Sequence, residues 1–139
     1  MSKVTIYTDG ACRGNPGPAG IGALILDDKG QAVAELSGFL GNATNNIAEY
    51  TALIKALEKA LSLSISEVEI FTDSQLLVKQ VLGEYKVKNE ILKNLYQRVK
   101  QLEKQFDRFV INHVPREKNK FADRLANRGI DQGILGGNQ

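Results

Sequence analysis

The chain has 139 residues, of which 42% are hydrophobic and 24% charged, and its formal net charge is +2 at pH 7. These values predict one globular domain with its own core, and no apolar run approaches the roughly 20 residues that span a bilayer. One cysteine and one histidine exclude an internal disulfide and a Cys/His zinc site, so any metal must be bound by oxygen ligands.

The first residues and the charge distribution bear on location and partners. The start, Met-Ser-Lys-Val-Thr, enters a predicted strand without the apolar segment of a signal peptide, so we expect a cytoplasmic protein without a membrane partner. The mild positive charge permits binding to a polyanion without requiring it. Basic residues crowd two segments, 86–104 and 116–128, where the alternative explanation is a solvated helix face.

Apolar periodicity predicts an α/β fold in the order β-β-β-α-β-α-α-β-α. We expect a mixed five-stranded sheet, with three antiparallel strands followed by parallel ones and with helices on both faces. A Gly- and Pro-rich loop is expected over 10–20, and a flexible tail over 132–139, which leaves 1–131 as the single domain. The predicted strands are 4–9, 21–26, 32–40, 68–72 and 109–113, and the predicted helices are 46–62, 75–82, 89–105 and a last one from 121 that ends at Gly129.

Two of these strands end in the same way. Val4-Thr-Ile-Tyr-Thr-Asp9 and Val68-Glu-Ile-Phe-Thr-Asp73 both finish on Thr-Asp, before a residue that stops strands. If the strands are parallel neighbours, Asp9 and Asp73 lie at the carboxyl edge of one sheet, where α/β proteins bind ligands. Two converging carboxylates repel each other and need a shared cation or a shared proton. The pair therefore predicts a metal site.

Two further acids, Glu49 and Asp123, lie beside apolar residues of predicted helices, and each has an ordinary structural explanation. Asn46-Ile-Ala-Glu49 has the spacing of a capping box, in which Glu49 would bond the backbone at the helix start. Asp123 would be a partly exposed helix acid near Arg124 or Asn127. Neither residue alone indicates a functional site.

Taken together, four blocks resemble the motifs of the type 1 ribonuclease H family, in that family's order over about residues 3–128. They are Thr8-Asp9-Gly10-Ala11-Cys12-x-Gly14-Asn15-Pro16-Gly17, Thr44-Asn45-Asn46-x-x-Glu49, Thr72-Asp73-Ser74-Gln75 and Asn119-x-x-x-Asp123. The resemblance implies a ribonuclease H-like fold and hydrolysis of the RNA strand of RNA–DNA hybrids by two-metal-ion catalysis, leaving 5′-phosphate and 3′-hydroxyl ends. It implies a cluster that binds two Mg²⁺ ions, for which Mn²⁺ could substitute, in a monomer without an obligate protein partner. The cluster residues are Asp9, Glu49, Asp73 and Asp123.

The family pattern also implies contacts with the hybrid, whose RNA strand is distinguished by its 2′-hydroxyls. Thr44 and Asn89 match positions that hold a phosphate of the DNA strand. Turn chemistry at Asn15 and helix capping at Asn45 are the structural alternatives. The full set of expected contacts is Gly10, Cys12, Gly14, Asn15, Thr44, Asn45, Ser74, Gln75 and Asn89.

The chain departs from the family pattern in two places. Many members carry a catalytic histidine after the last strand. His113 lies ten residues before Asp123, a spacing that some members share for this histidine, whereas matching Val114-Pro115 puts Arg116 in that position and leaves His113 within the strand. We favour Arg116, and His113 stays the alternative. Arg116 stays protonated, so it can neutralise phosphate or help expel product but cannot act as a general base. The basic protrusion of some relatives is also missing, so we expect binding to depend more on Lys86, Lys88 and the last helix.

Other functions fit parts of the sequence. A catalytically silent hybrid-binding module is disfavoured because all four carboxylates are present, and an integrase-like strand transferase because the motifs around Asn15 and Asn45 are. A sugar-kinase-like ATPase half-domain would need a second lobe. A ribonuclease H-like nuclease that also cuts double-stranded RNA stays open.

Overall fold

The computed structural model describes residues 2–137, which form one mixed sheet with helices on both faces. The strands are β1 (Lys3–Cys12), β2 (Gly17–Leu26), β3 (Ala32–Ala43), β4 (Glu67–Thr72) and β5 (Arg108–His113), and the helices are α1 (Asn45–Ser62), α2 (Gln75–Val81), α3 (Glu90–Glu103) and α4 (Lys120–Gly137). The sheet order is β3-β2-β1-β4-β5, antiparallel from β1 to β3 and parallel from β1 to β5. The predicted fold class and element order are confirmed.

Glycines allow α1 and α4 to approach the sheet closely from opposite faces. A β-carbon at Gly10 would overlap the α1 backbone, and one at Gly22 would overlap the α4 backbone. Gly22 pairs with Asp9 across the β1–β2 ladder, and successive strand residues point to opposite faces. Asp9 therefore points to the α4 face and Gly10 to the α1 face. The larger core lies on the α1 face and includes Ile6, Ile25, Leu53, Leu57 and Ile70.

The predicted loop over 10–20 is wrong over most of its length. Gly10 does not stop β1, because it pairs with Ile21, and the ladder continues as far as Cys12 and Ala19. The turn is confined to residues 13–16 between β1 and β2. Asp9 consequently lies inside β1 rather than at its end.

The predicted end of α4 at Gly129 is also wrong, since the helix continues to Gly137 and includes much of the expected flexible tail. Gly129 packs against the backbone of Gly38, and Gly133 packs against the Phe39 ring, with no space for a β-carbon at either glycine. These glycines serve helix-to-sheet packing, not helix termination. Residues 138 and 139 of the expected tail lie outside the described residues. Within 2–137, no helix combines the length and the apolar character that crossing a membrane requires.

Candidate active site

β1 continues beyond the end of β4, which leaves an opening at the carboxyl end of these two parallel strands. Their pairing ends at Thr8 and Thr72. Beyond this point, the backbone groups of β1 that face β4 form hydrogen bonds with side chains instead. Asn119 Nδ2 donates to the Thr8 carbonyl oxygen at 2.8 Å, and the Gly10 N–H donates to Glu49 Oε1. Residues from α1 and from the start of α4 thus satisfy the backbone groups that β4 does not reach.

Three carboxylates meet in this opening. Oxygen atoms of Asp9, Glu49 and Asp73 lie within 4.8 Å of one another. Asp9 and Glu49 are only 5% and 4% exposed, so water screens their charges weakly. The capping-box explanation for Glu49 is wrong, because Thr44 caps the Ile47 N–H at the start of α1 while Glu49 faces β1.

Asp123 joins the cluster from α4, on the other face of the sheet. The bond from Asn119 to β1 anchors the start of α4, and the Asp123 N–H donates to the Asn119 carbonyl oxygen at 3.1 Å. Asp123 lines the same cavity as Asp9, and its carboxyl contributes to raising the pKa of Asp9. The structure thus brings the four predicted carboxylates together from β1, α1, the end of β4 and α4.

Burial and mutual repulsion make this cluster costly in its fully charged form. Burial is the main cause that raises the pKa of Asp9, and the charges of Glu49 and Asp73 raise it further. Burial also raises the pKa of Glu49, although the hydrogen bond from Gly10 partly offsets that effect. Carboxylate oxygens are hard ligands, and a divalent cation would relieve the repulsion among them. The donor set therefore fits a divalent cation.

We expect the metal-free protein to lose stability as the pH rises from about 4 through neutrality. Below the unfolded carboxyl pKa of about 4, Asp9 and Glu49 are protonated in both states. Above it, the unfolded chain releases these protons while the folded chain, with its raised pKa values, retains them, so rising pH favours unfolding. Asp9→Asn should accordingly raise the melting temperature of the metal-free protein at neutral pH.

Calorimetric melting across the acid-to-neutral range, in EDTA and in Mg²⁺, measures these effects. Mg²⁺ should raise the wild-type melting temperature most at neutral pH and much less in the Asp9→Asn variant. A wild-type melting temperature that is independent of pH in EDTA would contradict the expectation, as would an Asp9→Asn variant that melts lower than the wild type.

The cavity around the carboxylates has a volume of about 490 Å³ and is lined by residues from both faces of the sheet. Two of its lining residues, Ala11 and Asn127, were not predicted as site residues. Asn127 lies one helical turn after Asp123, and this i,i+4 spacing could have indicated it. The predicted residues that line the cavity with the four acids are Gly10, Cys12, Asn45, Ser74 and Arg116.

The structure places Arg116, not His113, at the cavity. His113 is the last residue of β5 and is exposed. Arg116 begins a short 3-10 turn, Arg116–Lys118, and lines the cavity together with Asp123. This position is compatible with contact to a phosphate at the carboxylates, and the role of Arg116 stays a prediction.

The remaining predicted hybrid contacts lie outside the cavity wall. Asn15 Oδ1 accepts from the Asn45 N–H at 3.1 Å, which joins the β1–β2 turn to the start of α1. Helix capping is wrong for Asn45, because Thr44 is the cap of α1. Of the described residues predicted to contact the hybrid, those that do not line this cavity are Gly14, Asn15, Thr44, Gln75 and Asn89.

A basic groove of about 560 Å³ lies between α3 and the segment that joins it to α2. Lys86, Lys88 and Lys93 line it together with Tyr85 and Tyr96. Tyr85 is 51% exposed, so it is not a core residue. The groove therefore presents cationic and aromatic groups to solvent, a combination that nucleic-acid-binding proteins use.

Comparison with known proteins gives consistent matches across the chain. The family model described as "Reverse transcriptase-like" matches residues 7–129. The chain is 45% identical over 130 residues to the "Bifunctional protein Rv2228c" of Mycobacterium tuberculosis. The matched region covers 93% of this chain and 36% of that protein. The chain therefore spans about a third of the length of the mycobacterial relatives that it matches.

Two solved structures match nearly end to end. The crystal structure of RNase H1 from the halophilic archaeon Halobacterium salinarum NRC-1 has a TM-score of 0.91 and 44% identity, covering 94% of this chain and 99% of that one. LC11-RNase H1, isolated from compost by a metagenomic approach and crystallised with an RNA/DNA hybrid, has a TM-score of 0.89 and 45% identity, covering 94% of this chain and 99% of that one. With this fold, this coverage and four carboxylates in one cavity, the chain belongs to the type 1 ribonuclease H family.

Proposed function

We propose that the protein is a divalent-metal-dependent endonuclease that hydrolyses the RNA strand of RNA–DNA hybrids. The observation that carries the proposal is the convergence of the buried Asp9 and Glu49 carboxylates with that of half-buried Asp73, with Asp123 in the same cavity. The hybrid bound by the similar LC11-RNase H1 supports the substrate. A silent binding module, the second candidate, would have no use for buried carboxylates that repel one another.

The four carboxylates are the residues that would hold two Mg²⁺ ions, and Mn²⁺ could replace them. When bound, these ions would activate the attacking water and stabilise the charge on the leaving 3′ oxygen, leaving a 5′-phosphate and a 3′-hydroxyl. Glu49 keeps its orientation through the Gly10 N–H. Arg116, which lines the cavity, would offset phosphate charge, and its permanent positive charge keeps it from acting as a base.

Selection of RNA would come from polar groups beside the carboxylates. Asn45 lines the cavity and is hydrogen-bonded through its N–H to Asn15, so the two residues form one polar edge that can meet 2′-hydroxyls. Thr44 and Asn89 use their side-chain oxygens to cap α1 and α3. The Thr44 hydroxyl proton and the Asn89 Nδ2 group remain as donors for a phosphate of the DNA strand.

The proposal extends to a monomer that acts in the cytoplasm. Cys12, the one cysteine of the sequence, is a free thiol. Reducing compartments preserve such a thiol.

Cleavage assays with labelled RNA–DNA hybrid, RNA duplex and DNA duplex, each with Mg²⁺ or Mn²⁺, test the proposed function. We expect the RNA strand of the hybrid to be cut internally, with 5′-phosphate and 3′-hydroxyl ends, and the DNA duplex to stay intact. Hybrid binding without cleavage would favour the silent module. Cleavage of the RNA duplex would identify a nuclease with a broader substrate range.

Arg116→Ala is expected to lower kcat by about tenfold to a hundredfold, the value of one charge-assisted hydrogen bond. Arg116→Lys should restore part of this loss because it keeps the charge but not the fork of donors. His113→Ala is the matched control, since His113 is exposed outside the cavity. A larger loss of kcat in His113→Ala than in Arg116→Ala would reverse the assignment.

Paired substitution of Lys86 and Lys88 by alanine is expected to weaken hybrid binding, because both residues line the exposed basic groove. Each lost phosphate contact should reduce the slope of log K against log salt by about 0.9. Fluorescence anisotropy with labelled hybrid in Ca²⁺, over a salt series, measures the slope. Lys29→Ala with Lys55→Ala removes the same charge elsewhere; an equal effect in this control would mean that only net charge matters.

A further inference from the structure

The turn between β1 and β2 is connected to the carboxylate cluster by side chains along α4. Arg13 Nη1 donates to Asp131 Oδ1 at 2.7 Å, and Arg13 Nη2 donates to Asn127 Oδ1 at 3.3 Å. Asn127 Nδ2 donates in turn to Asp123 Oδ1 at 3.3 Å and to the Asp123 carbonyl oxygen at 3.0 Å. Asn127 and Asp123 both line the cavity, so this connection ends among the carboxylates.

An asparagine amide suits this place because its two ends have opposite polarity. Its oxygen accepts from the Arg13 guanidinium, and its NH₂ group donates to the Asp123 carboxylate. The reverse orientation would turn the NH₂ group toward a cation and the oxygen toward an anion. The charges on the two sides therefore hold the Asn127 amide in one orientation.

Asp123 needs such a partner because it lies among like charges. Without an attractive contact, repulsion from Asp9 and its neighbours would favour rotamers that turn the Asp123 carboxylate toward solvent. A donated hydrogen bond to one oxygen offsets that repulsion and leaves the second oxygen for a cation. Partners of this kind orient metal ligands in many metal sites.

Arg13 belongs to the turn that carries Asn15, one of the residues proposed to meet the hybrid. The Arg13 N–H donates to the Pro18 carbonyl oxygen at 2.9 Å, which closes the turn. Its side chain extends to α4, where Asp131 holds one end of the guanidinium. One residue thus ties the turn to α4 at the level of Asn127.

We propose, on the basis of the proposed function, that Asn127 is a positioning residue that aims the Asp123 carboxylate into the metal site and that Arg13 holds the Asn127 amide in the required orientation. The turn that meets the hybrid and the carboxylate contributed by α4 are then held in one geometry. Neither residue takes part in bond making; both act through Asp123.

A double-mutant cycle with Arg13→Met and Asn127→Leu tests this assignment. Calorimetric titration with Mg²⁺ in the absence of substrate and steady-state cleavage of the hybrid are measured for each variant. Asn127→Leu should weaken Mg²⁺ binding and lower kcat, each by about tenfold, with little change in KM. Arg13→Met should act in the same direction, and the double variant should be no worse than Asn127→Leu, because the two residues act in series.

Arg98→Met is the matched control. Arg98 bonds Glu58 at 3.0 Å and has 44% side-chain exposure, against 42% for Arg13, but it lies on α3 away from the cavity. It should leave Mg²⁺ binding and kcat unchanged. Circular dichroism and thermal melting show whether Asn127→Leu is folded. If it folds poorly, Asn127→Ala takes its place in the double-mutant cycle.

Several results would overturn the assignment. Wild-type Mg²⁺ binding in both Asn127 variants would remove the positioning role, and additive losses in the double variant would show that the two residues act separately. An Arg13→Met variant with raised KM and unchanged Mg²⁺ binding would identify Arg13 as a direct phosphate contact instead. A wild-type protein that neither binds Mg²⁺ nor cuts the hybrid would refute the proposed function itself, which is a different result from indifference of the variants.

Discussion

Asp73→Asn is expected to abolish hydrolysis of the hybrid while leaving the protein folded. Asp73 follows β4 directly and brings its carboxylate within 4.8 Å of those of Asp9 and Glu49. Asparagine has nearly the same shape, so packing is conserved, but one negative charge of the cation site is lost. Metal ions supply several kcal/mol of charge stabilisation in such sites, which corresponds to a loss of about a thousandfold or more in kcat.

The measurement is single-turnover cleavage of a labelled hybrid at saturating protein, together with hybrid binding in Ca²⁺. Binding should change little, because the proposed hybrid contacts of Asn15 and Asn45 are untouched. Asp28→Asn, an exposed acid in the β2–β3 turn, is the matched control and should cleave like the wild type. If the Asp73→Asn variant keeps a tenth or more of the wild-type cleavage rate, Asp73 does not belong to the catalytic cluster. If its loss of rate is no larger than that of Arg116→Ala, the proposed division of roles between Asp73 and Arg116 is wrong.

Gly10→Ala is expected to be the most damaging single-methyl change at the site. A β-carbon at Gly10 would overlap the backbone of Ala48 and Glu49, and backbone atoms cannot move aside as a flexible side chain can. Overpacking of a core costs about 1–3 kcal/mol, occasionally more, and a clash with backbone should fall at the upper end. The displaced α1 would also carry Glu49 away from the Gly10 N–H and from Asp9 and Asp73.

We therefore expect a melting temperature many degrees below that of the wild type and, where the variant is still folded, weakened Mg²⁺ binding and a large loss of kcat. Gly136→Ala, near the end of α4, is the matched control, because among residues 2–137 no atom beyond its chain neighbours and its own helix backbone lies within 4 Å of its β-carbon position. It should be neutral or slightly stabilising, since alanine favours a helix over glycine by up to about 1 kcal/mol. A Gly10→Ala variant as stable and active as the wild type would show that α1 can move without disturbing Glu49.

Local pattern and tertiary contact account for different parts of the site. Asp9 and Asp73 could be predicted because each follows a period-2 apolar run, and such runs are properties of a short segment. Glu49 could not be decided in this way, since a capping box and a cluster ligand have the same local spacing. Two tertiary observations separate these explanations: Glu49 accepts from the Gly10 N–H of β1, against which α1 packs, and Thr44 caps the start of α1.

The errors in the predicted boundaries have the same origin. The local pattern predicts element ends at Gly10 and Gly129, but each glycine lies inside an element, and a neighbouring element packs directly on it. A glycine that breaks a helix and a glycine that admits a close neighbour look identical in one sequence. The sequence alone shows Asn127 only as a neighbour of Asp123, because its partner Arg13 lies near the opposite end of the chain.

The sequence by itself determined the fold class and the order of the elements, since periodicity is legible along the chain, and its ordered family motifs predicted the four carboxylates. Only the tertiary structure decided that Glu49 faces β1 and that Asn119 anchors the start of α4 to β1. It also places Arg116, which motif matching favours over His113, at the cavity. The physical reason is the early end of β4. It leaves backbone groups of β1 without strand partners, and residues distant in sequence bond them and bring the acids together.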